Sequence, residues 1–569
     1  MTIVWSPIKS LQSTIAQLFT PTQRVRWVAL LTAIAGIFNL LIAVSPQISA
    51  RSRLLERLTA LTVETQGRIA AAVIGFILLT LAGQLLRHKR VAWLLTVLLL
   101  GLSLALKGMR SHHPLVAILD GVLLGFLLVD HRHYTARSDA PSRVRAVRVL
   151  LGALLFSLAY GTLGLFWLDH HYARDFDLLT ALQQVLQLFF SWDVSSTLPQ
   201  TRFGRLFAES IYSVSLLTLG YAFLLLLQPV WQPPATAAER KRAIAIVRAH
   251  GHTSLAKLTL LDDKSYCFSP SGESLVAFVQ RGRGAIALGD PIGPARDREA
   301  MIQQFLRECR QNDWLPAFYQ VLPDDLPLYQ RQGLVSVQIG QEAVIPLRDF
   351  SLQGKRGKGF RSTLSRLERV GYRFEVIPAA ETSLLLPELR LVSDAWLKRM
   401  KGPEKRFSVG WFDRDYLTSG SIAVVRSQDG QIQAFANWVE EFQRNELTLD
   451  LIRFLPQAES GTMEFLLVNT ILSAKDRGFD SFSLGLSALS GLDQLDQPTQ
   501  VEQGLDYLYR HLDRFYRFQG LHSFKEKFHP DWQPRYLVYP NLAALPNLVV
   551  ALIRADSGDR WLDYFRPND

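Results

Sequence analysis

An aspartate and an arginine three residues apart, Asp450-Leu-Ile-Arg453, end a strand-like run, and Gly461-Thr-Met-Glu464 opens the helix-like run that follows. Further on, His522-Ser-Phe-Lys525-Glu-Lys527 lies beside the aromatic residues Phe515, Tyr516 and Phe518. A carboxylate, a guanidinium and ammonium groups of this kind can bind a carbonyl oxygen, hold a hydroxyl and move a proton. Ion-paired structural residues would show the same spacing, so the pattern alone leaves both readings open. A second candidate is Gly354-Lys355-Arg356-Gly357-Lys358-Gly359, ahead of a helical pattern at 360–370. Glycines before a helix start let backbone N–H groups point at an anion. Lys355, Arg356, Lys358, Arg361, Arg366, Arg369 and Arg373 there face a single acid, Glu368. That balance favours contact with phosphate or an RNA backbone over a solvated turn.

Other signatures fail. The basic loop lacks the GK[ST] of a Walker A loop. Gly485-Leu-Ser-Ala-Leu breaks the GxSxG elbow at its last position, and no HExxH occurs. Gly289-Asp-Pro-Ile-Gly293 reads as a structural turn. Two cysteines, Cys267 and Cys309, cannot form a CxxC pair or a zinc ligand set, so no metal site is expected; no bound cofactor is expected either.

The elements that must position these residues divide the chain of 569 residues in two. Residues 1–234 hold 20 Lys+Arg against 10 Asp+Glu, whereas residues 235–569 hold 42 against 41. Six apolar stretches, at 27–44, 69–86, 91–106, 115–129, 147–168 and 207–230, are long enough or nearly so to cross a bilayer. An excess of Lys and Arg in alternate loops puts the N-terminus and the second half on the cytoplasmic side. Stretches 52–65 and 178–192 read as interfacial or re-entrant, and no cleavable leader is expected. Asp120, inside the fourth apolar run, is a functional candidate by its depth or a polar contact between helices. His112/His113, His131/His133 and His170/His171 read as interfacial.

After prolines at 229, 233 and 234 a basic helix is predicted at 237–250. Strands are then predicted at 274–281, 284–288, 315–321 and 335–346, and in a second series at 372–377, 422–426, 434–439, 446–453 and 481–486. Helices are predicted at 297–311, 326–332, 384–400 and 462–475. Two successive βα series suggest two related subdomains. Each holds a helix–Gly–strand step, Tyr329-Gln-Arg-Gln-Gly-Leu and Ala474-Lys-Asp-Arg-Gly-Phe.

Residues 240–540 resemble the cytosolic domain of the phosphatidylglycerol lysyltransferases, or multiple peptide resistance factors. The resemblance rests on Ser265-Tyr-Cys-Phe-Ser, Gly289-Asp-Pro-Ile-Gly, the Gly354–Arg361 loop, Glu404-Lys-Arg-Phe-Ser, Asp450-Leu-Ile-Arg, Gly461-Thr-Met-Glu-Phe and Phe524-Lys-Glu-Lys-Phe, in that order. It implies a membrane α-helical bundle of about six spans (1–234) followed by two tandem acetyltransferase-like (GNAT) folds, 235–375 and 376–569. It also implies transfer of an amino acid, lysine by default, from aminoacyl-tRNA to the glycerol hydroxyl of phosphatidylglycerol, in a bacterial inner membrane with the catalytic domain cytoplasmic. The tRNA is a co-substrate, and the product lipid is cationic and lowers the membrane's negative charge. Asp450 and Arg453 would orient a hydroxyl, and Lys525 or Lys527 would stabilise charge on the ester carbonyl or lipid phosphate. Glu464 would read an α-amino group or position Arg453. Lys355, Arg356, Lys358 and Arg361, with Glu404, Lys405 and Arg406, would contact tRNA or headgroup phosphate. Six spans suggest a synthase without the lipid-flipping module of the longest members. A different lipid-linked acceptor, a CoA-dependent transferase, a non-enzymatic lipid transporter and a homo-oligomer all stay open.

Overall fold

The computed structural model describes residues 235–400, 404–492 and 518–560 of the second half, with 232, 499 and 501–503. In the first half it describes chiefly 26–34, 68–98, 114–129, 158–168 and 175–191, with scattered single residues. Two compact units result, divided near Val230.

The N-terminal unit is helical where described. Helices Arg68–Leu86 and Pro114–Val129 coincide with two of the predicted apolar stretches, and Leu178–Ser191 with the one read as interfacial. Leu81, Leu85, Ala92 and Leu127 pack together, while Trp27, Leu98, Leu155 and Trp167 stay exposed. Among the described residues, no helix is long and apolar enough to cross a membrane. Asp120 falls in helix Pro114–Val129. Stretches 52–65 and 207–230, and His112, His113, His131, His133 and His171, lie outside the described residues.

The C-terminal unit opens on α1 (Ala237–His250), whose Thr236 and Glu239 form a reciprocal capping box. Eleven strands follow in one continuous sheet: β1 (Ser265–Phe268), β2 (Leu275–Arg281), β3 (Gly284–Leu288), β4 (Leu315–Val321), β5 (Val335–Pro346), β6 (Arg373–Ile377), β7 (Ile422–Arg426), β8 (Ile432–Glu440), β9 (Glu446–Phe454), β10 (Ser481–Ala488) and β11 (Asp531–Tyr539). The main helices are α2 (Arg298–Asn312), α3 (Leu326–Arg331), α4 (Lys358–Arg369), α5 (Ala379–Met400), α6 (Arg414–Thr418), α7 (Thr462–Asp476), α8 (Phe518–Glu526) and α9 (Leu545–Asp556).

The strand order is β1-β2-β3-β4-β11-β5-β10-β9-β8-β7-β6. It reads the same from both ends, apart from the extra edge strand β6. Strands β1–β2–β3 run antiparallel and α2 carries the chain to β4, parallel to β3. Strands β7–β8–β9 repeat this, and α7 leads to β10, parallel to β9. The last strand of each series then crosses over: β5 pairs with β10, β11 with β4, and the two meet at the centre. The predicted series 235–375 and 376–569 thus complete one another's half of a shared sheet. The helix–Gly–strand steps are not the structural repeat, because one leads to β5 and the other to β10. They recur because Gly333 and Gly478, both at positive φ, end helices in the way glycine favours.

Five of these elements went unpredicted: β1, α6, α8, β11 and α9. Strand β11 is central yet contains Pro534, which argues against a central strand; β11 pairs with β4 only at Tyr536–Val538, so at Pro534 it has β5 as its one neighbour and behaves as an edge. Helix α5 begins five residues before the predicted 384 and runs through Pro387, and α9 lies beyond the last predicted element.

One face of the second half is covered by α4, α7 and α8, where Phe360, Leu364, Phe465 and Phe528 meet Ala343, Leu447 and Phe482. The opposite face packs on α5 through Leu389, Val392, Val424 and Phe435, and in the first half α9 packs on Val279, Ile286 and Ala317. At the centre, Glu342 of β5 and Arg535 of β11 form a buried ion pair, with Ser483 Oγ donating to Glu342 Oε1 at 2.5 Å. Burial alone would raise the Glu342 carboxyl, but Arg535 and Ser483 hold it below its ordinary range. Glu342→Ala strands a buried guanidinium and should destabilise the fold by about 3–5 kcal/mol. A clearly lowered melting transition of the purified protein is the expected reading.

Candidate functional site

In a regular strand, residues three apart point to opposite faces, so Asp450 and Arg453 should not cooperate. A bulge changes this. Trp438 pairs with Leu449 and Ala436 with Ile452, so β9 carries one residue more than β8 across that step. Leu447 consequently lies in the core under α7, whereas Leu451 lies in the core under α5. Asp450 and Arg453 both come to the α5 face. The N–H of Leu451, freed by the bulge, donates to Asn437 Oδ1 at 2.9 Å.

Asp450 accepts from Tyr416 Oη at 2.5 Å and from the N–H of Gly410 at 2.9 Å. A Cβ on Gly410 would lie 2.3 Å from Asp450 Oδ2, so only glycine permits this approach. Burial raises the Asp450 carboxyl above its ordinary range, against the opposing pull of Tyr416, Gly410, Arg453 and Lys257. Arg453 donates through Nη2 to Glu404 Oε1 at 3.0 Å, and its guanidinium stacks on Trp396 of α5, 4.2 Å from the ring centre. Burial pulls Arg453 down, and Glu404 and Asp450 pull it back up. Glu404 also accepts from the N–H of Phe412 at 2.9 Å.

Strands β9 and β10 pair only from Glu446–Ser481 to Thr448–Ser483 and then diverge. Two residues past the last pair, Asp450 stands on one side of the gap and Gly485 on the other. Lys525 donates to the carbonyls of Gly485 and Leu486 at 2.9 and 3.1 Å. It reaches this point from α8, across the sheet from α5. Burial lowers its ammonium to about 7, with Glu342 opposing.

The remaining predicted residues fall elsewhere. Glu464 lies on α7, accepts from Thr363 Oγ1 at 2.8 Å and pairs with the exposed Lys527 at 3.4 Å. The expected partnership of Glu464 with Arg453 is replaced by that of Glu404, because Glu464 sits on the opposite sheet face. Lys355, Arg356, Lys358 and Arg361 are exposed around the start of α4, with Arg361 donating to the carbonyl of Gly354 at 3.1 Å. The helix begins at Lys358, two residues before the predicted 360, after Gly357 at its N-cap. Glu404 turns inward, whereas Lys405 and Arg406 are exposed, with Arg406 over the Trp411 ring at 4.8 Å. His522 stacks on Trp532, and Phe515 and Tyr516 lie outside the described residues. The Gly289–Gly293 turn is structural: Asp290 accepts from the N–H of Leu322 and from Tyr329 Oη. Among the described residues no metal-ligating cluster occurs.

Sequence reasoning missed Tyr416, Gly410, Trp396 and Lys257. They come from segments remote from β9 and carry no spacing signal; only the fold assembles them. A gap between parallel strands is thus flanked by a buried carboxylate and by a buried lysine that holds two backbone carbonyls.

The sequence profile described as "Phosphatidylglycerol lysyltransferase, C-terminal" matches residues 244–539, and the chain belongs to this family. It is 32% identical over 310 residues to the phosphatidylglycerol lysyltransferase of Staphylococcus epidermidis and 34% over 308 residues to that of Bacillus subtilis, 54% of this chain in each case. The matches span 37% and 36% of those proteins' lengths. Among solved structures, the C-terminal domain of a putative lysylphosphatidylglycerol synthetase from Agrobacterium fabrum is 36% identical with a TM-score of 0.51, covering 57% of this chain and 99% of that one. The L-PGS structure from Bacillus licheniformis is 33% identical with the same TM-score, covering 56% of this chain and 97% of that one.

Lys525 has a testable signature. Its ammonium titrates near 7 in the folded protein against an ordinary 10.5. Between those values the unfolded chain binds a proton that the folded chain does not, so this lysine makes stability rise with pH across that window. Lys525→Met should flatten that rise, read as melting temperature at pH 6.5, 8 and 9.5 against wild type.

Proposed function

We propose that this chain transfers an aminoacyl group, lysyl by family, from aminoacyl-tRNA to the glycerol hydroxyl of phosphatidylglycerol at a membrane surface. The observation that carries the proposal is the Asp450–Tyr416 and Arg453–Glu404 arrangement at the β9 bulge, inside a domain that matches solved synthase domains over nearly their whole length. The lipid hydroxyl oxygen bonds to the ester carbonyl carbon, the bond from that carbon to the ribose oxygen breaks, and the proton passes from the lipid hydroxyl to the ribose oxygen. One ester replaces another, so no ATP, redox partner or cofactor is required.

Asp450 accepts the hydrogen bond of the incoming hydroxyl and orients it at the carbonyl. Arg453, anchored by Glu404 and Trp396, holds the electrostatic balance beside it. Lys525, at the strand gap, faces the carbonyl oxygen as charge develops there. The exposed basic residues Lys355, Arg356 and Lys358, with Lys405, meet tRNA phosphates, whose contribution weakens with salt. The twinned acetyltransferase-like fold provides the frame. The apolar stretches of residues 1–234 form a multi-pass bundle that keeps the domain on the cytoplasmic face of the inner membrane, and the exposed Trp27, Leu98, Leu155 and Trp167 suit lipid contact. A lysyl-lipid reduces the negative surface potential that attracts cationic peptides.

Asp450→Asn should lower formation of labelled lysyl-lipid in phosphatidylglycerol liposomes by about 100-fold or more while the melting temperature holds. Retained product would reject the assignment. Tyr416→Phe removes a hydrogen bond that lowers the Asp450 carboxyl, so that carboxyl rises further. The acid limb of the pH–rate profile should then move to higher pH, and an unmoved limb would remove Asp450 from the step it reports.

A further inference from the structure

One cation beside the candidate site has no role in the reading above. Lys257 belongs to the first half of the sheet's chain, in a turn pinned by Leu255, Leu258 and Leu261 in the core. It precedes a single 3-10 turn at Leu258–Leu260, and Ser254 of the same segment hydrogen-bonds Glu342. Lys257 is half-buried; burial pulls its ammonium down, and Glu440 and Asp450 pull it back up, while Leu255 and Leu258 on either side of it share a core cluster with Trp411 and with Tyr416, the partner of Asp450. Both acids have other partners. The Asp450 oxygens receive Tyr416 Oη and the N–H of Gly410, and Glu440 pairs with Arg477 at 3.2 Å. Among the described residues, the Lys257 ammonium makes no hydrogen bond or ion pair. Other buried cations of this domain do: Lys264 with Asp263, Arg453 with Glu404, Arg535 with Glu342, and Lys525 with two carbonyls.

The two cations that act on Asp450 are Arg453 and Lys257. Glu404 already neutralises Arg453, which leaves Lys257 as the free positive charge next to the carboxylate. A partly buried ammonium without a partner suits an anion that arrives with a ligand. We infer that Lys257 binds the phosphodiester of the lipid acceptor, so that the first half of the domain holds the headgroup charge while the second half carries Asp450. The inference rests on the transferase reading and deepens it. In phosphatidylglycerol a three-carbon glycerol separates the phosphodiester from the reacting hydroxyl, so an anchor for the phosphate must lie near whatever holds the hydroxyl. RNA also offers phosphodiesters, but as a polyanion matched by the exposed run Lys355, Arg356 and Lys358. A single half-buried ammonium matches a single phosphate.

The test uses the full chain in liposomes, varying phosphatidylglycerol at fixed lysyl-tRNA and then the reverse, for wild type, Lys257→Met and Lys257→Arg. Lys257→Met should raise the KM for phosphatidylglycerol about tenfold or more, the size of one lost charge-assisted bond. Its KM for lysyl-tRNA should stay within about twofold, and Lys257→Arg should recover most of the loss. With monoacylglycerol, an acceptor that has the glycerol hydroxyls and no phosphate, the KM should be the same for wild type and Lys257→Met, whatever the change in kcat that follows from the altered charge beside Asp450. A KM for phosphatidylglycerol that does not move overturns the inference, and so does a rise confined to lysyl-tRNA, which would give Lys257 to RNA phosphate. If Lys257→Met melts well below wild type, Lys257→Gln decides by the same readings. Wild-type protein that forms no lysyl-lipid would sink both this inference and the transferase reading; wild-type activity with an unmoved KM would sink only the Lys257 assignment.

Discussion

The antiparallel pairing of β5 with β11, fastened by the buried Glu342–Arg535 ion pair, holds the C-terminal unit together. Each strand is the last of its own series and the neighbour of the other's parallel pair. Because the pair is central, the gap between β9 and β10 has a fixed wall: β5 supports β10 up to its irregularity between Ser483 and Leu486, where Lys525 takes hold of two carbonyls. Glu342 links the two features. It bonds Ser483 of β10 and Arg535 of β11, and its charge acts on Lys525.

The candidate site follows from a single extra residue. Without the bulge at Asp450–Leu451, the aspartate and arginine of β9 would face different layers of the molecule. With it, both face α5. The sheet therefore separates two chemistries. Asp450, Arg453 and their partners lie on one side; Glu464, Lys527 and the exposed basic start of α4 lie on the other. Lys525 reaches the boundary where the strands part. In the proposed function, the small reacting groups meet in the interior while the long polyanion of the donor stays outside.

Much of the fold was legible where local chemistry decides it. The strands at 284–288, 315–321, 335–346 and 422–426 and the helix at 237–250 lie where alternation, helical period and flanking breakers put them. Strand β11 was illegible because Pro534 contradicts the local rule, and only the pairing shows that β4 leaves β11 unpaired on one side at that residue. The crossing of β5 and β11 was illegible because it joins residues almost two hundred apart, and no period records such a pairing. At the site, Asp450 and Arg453 could be picked out as a spaced pair of opposite charges. Their partners could not: Tyr416 and Trp396 carry no spacing signal, Glu404 stands out only in a stretch read as a phosphate contact, and Glu464, closer in sequence to Arg453, pairs with Thr363 and Lys527 instead.

The exchange of final strands also sets an order of events during synthesis. On the ribosome, the first series emerges with β4 lacking one neighbour, since the strand that fills that place spans residues 531–539. β4 and β5 each lack a neighbour until residues 531–539 have left the exit tunnel. A message cut short before β11 therefore leaves two open strand edges, one on β4 and one on β5.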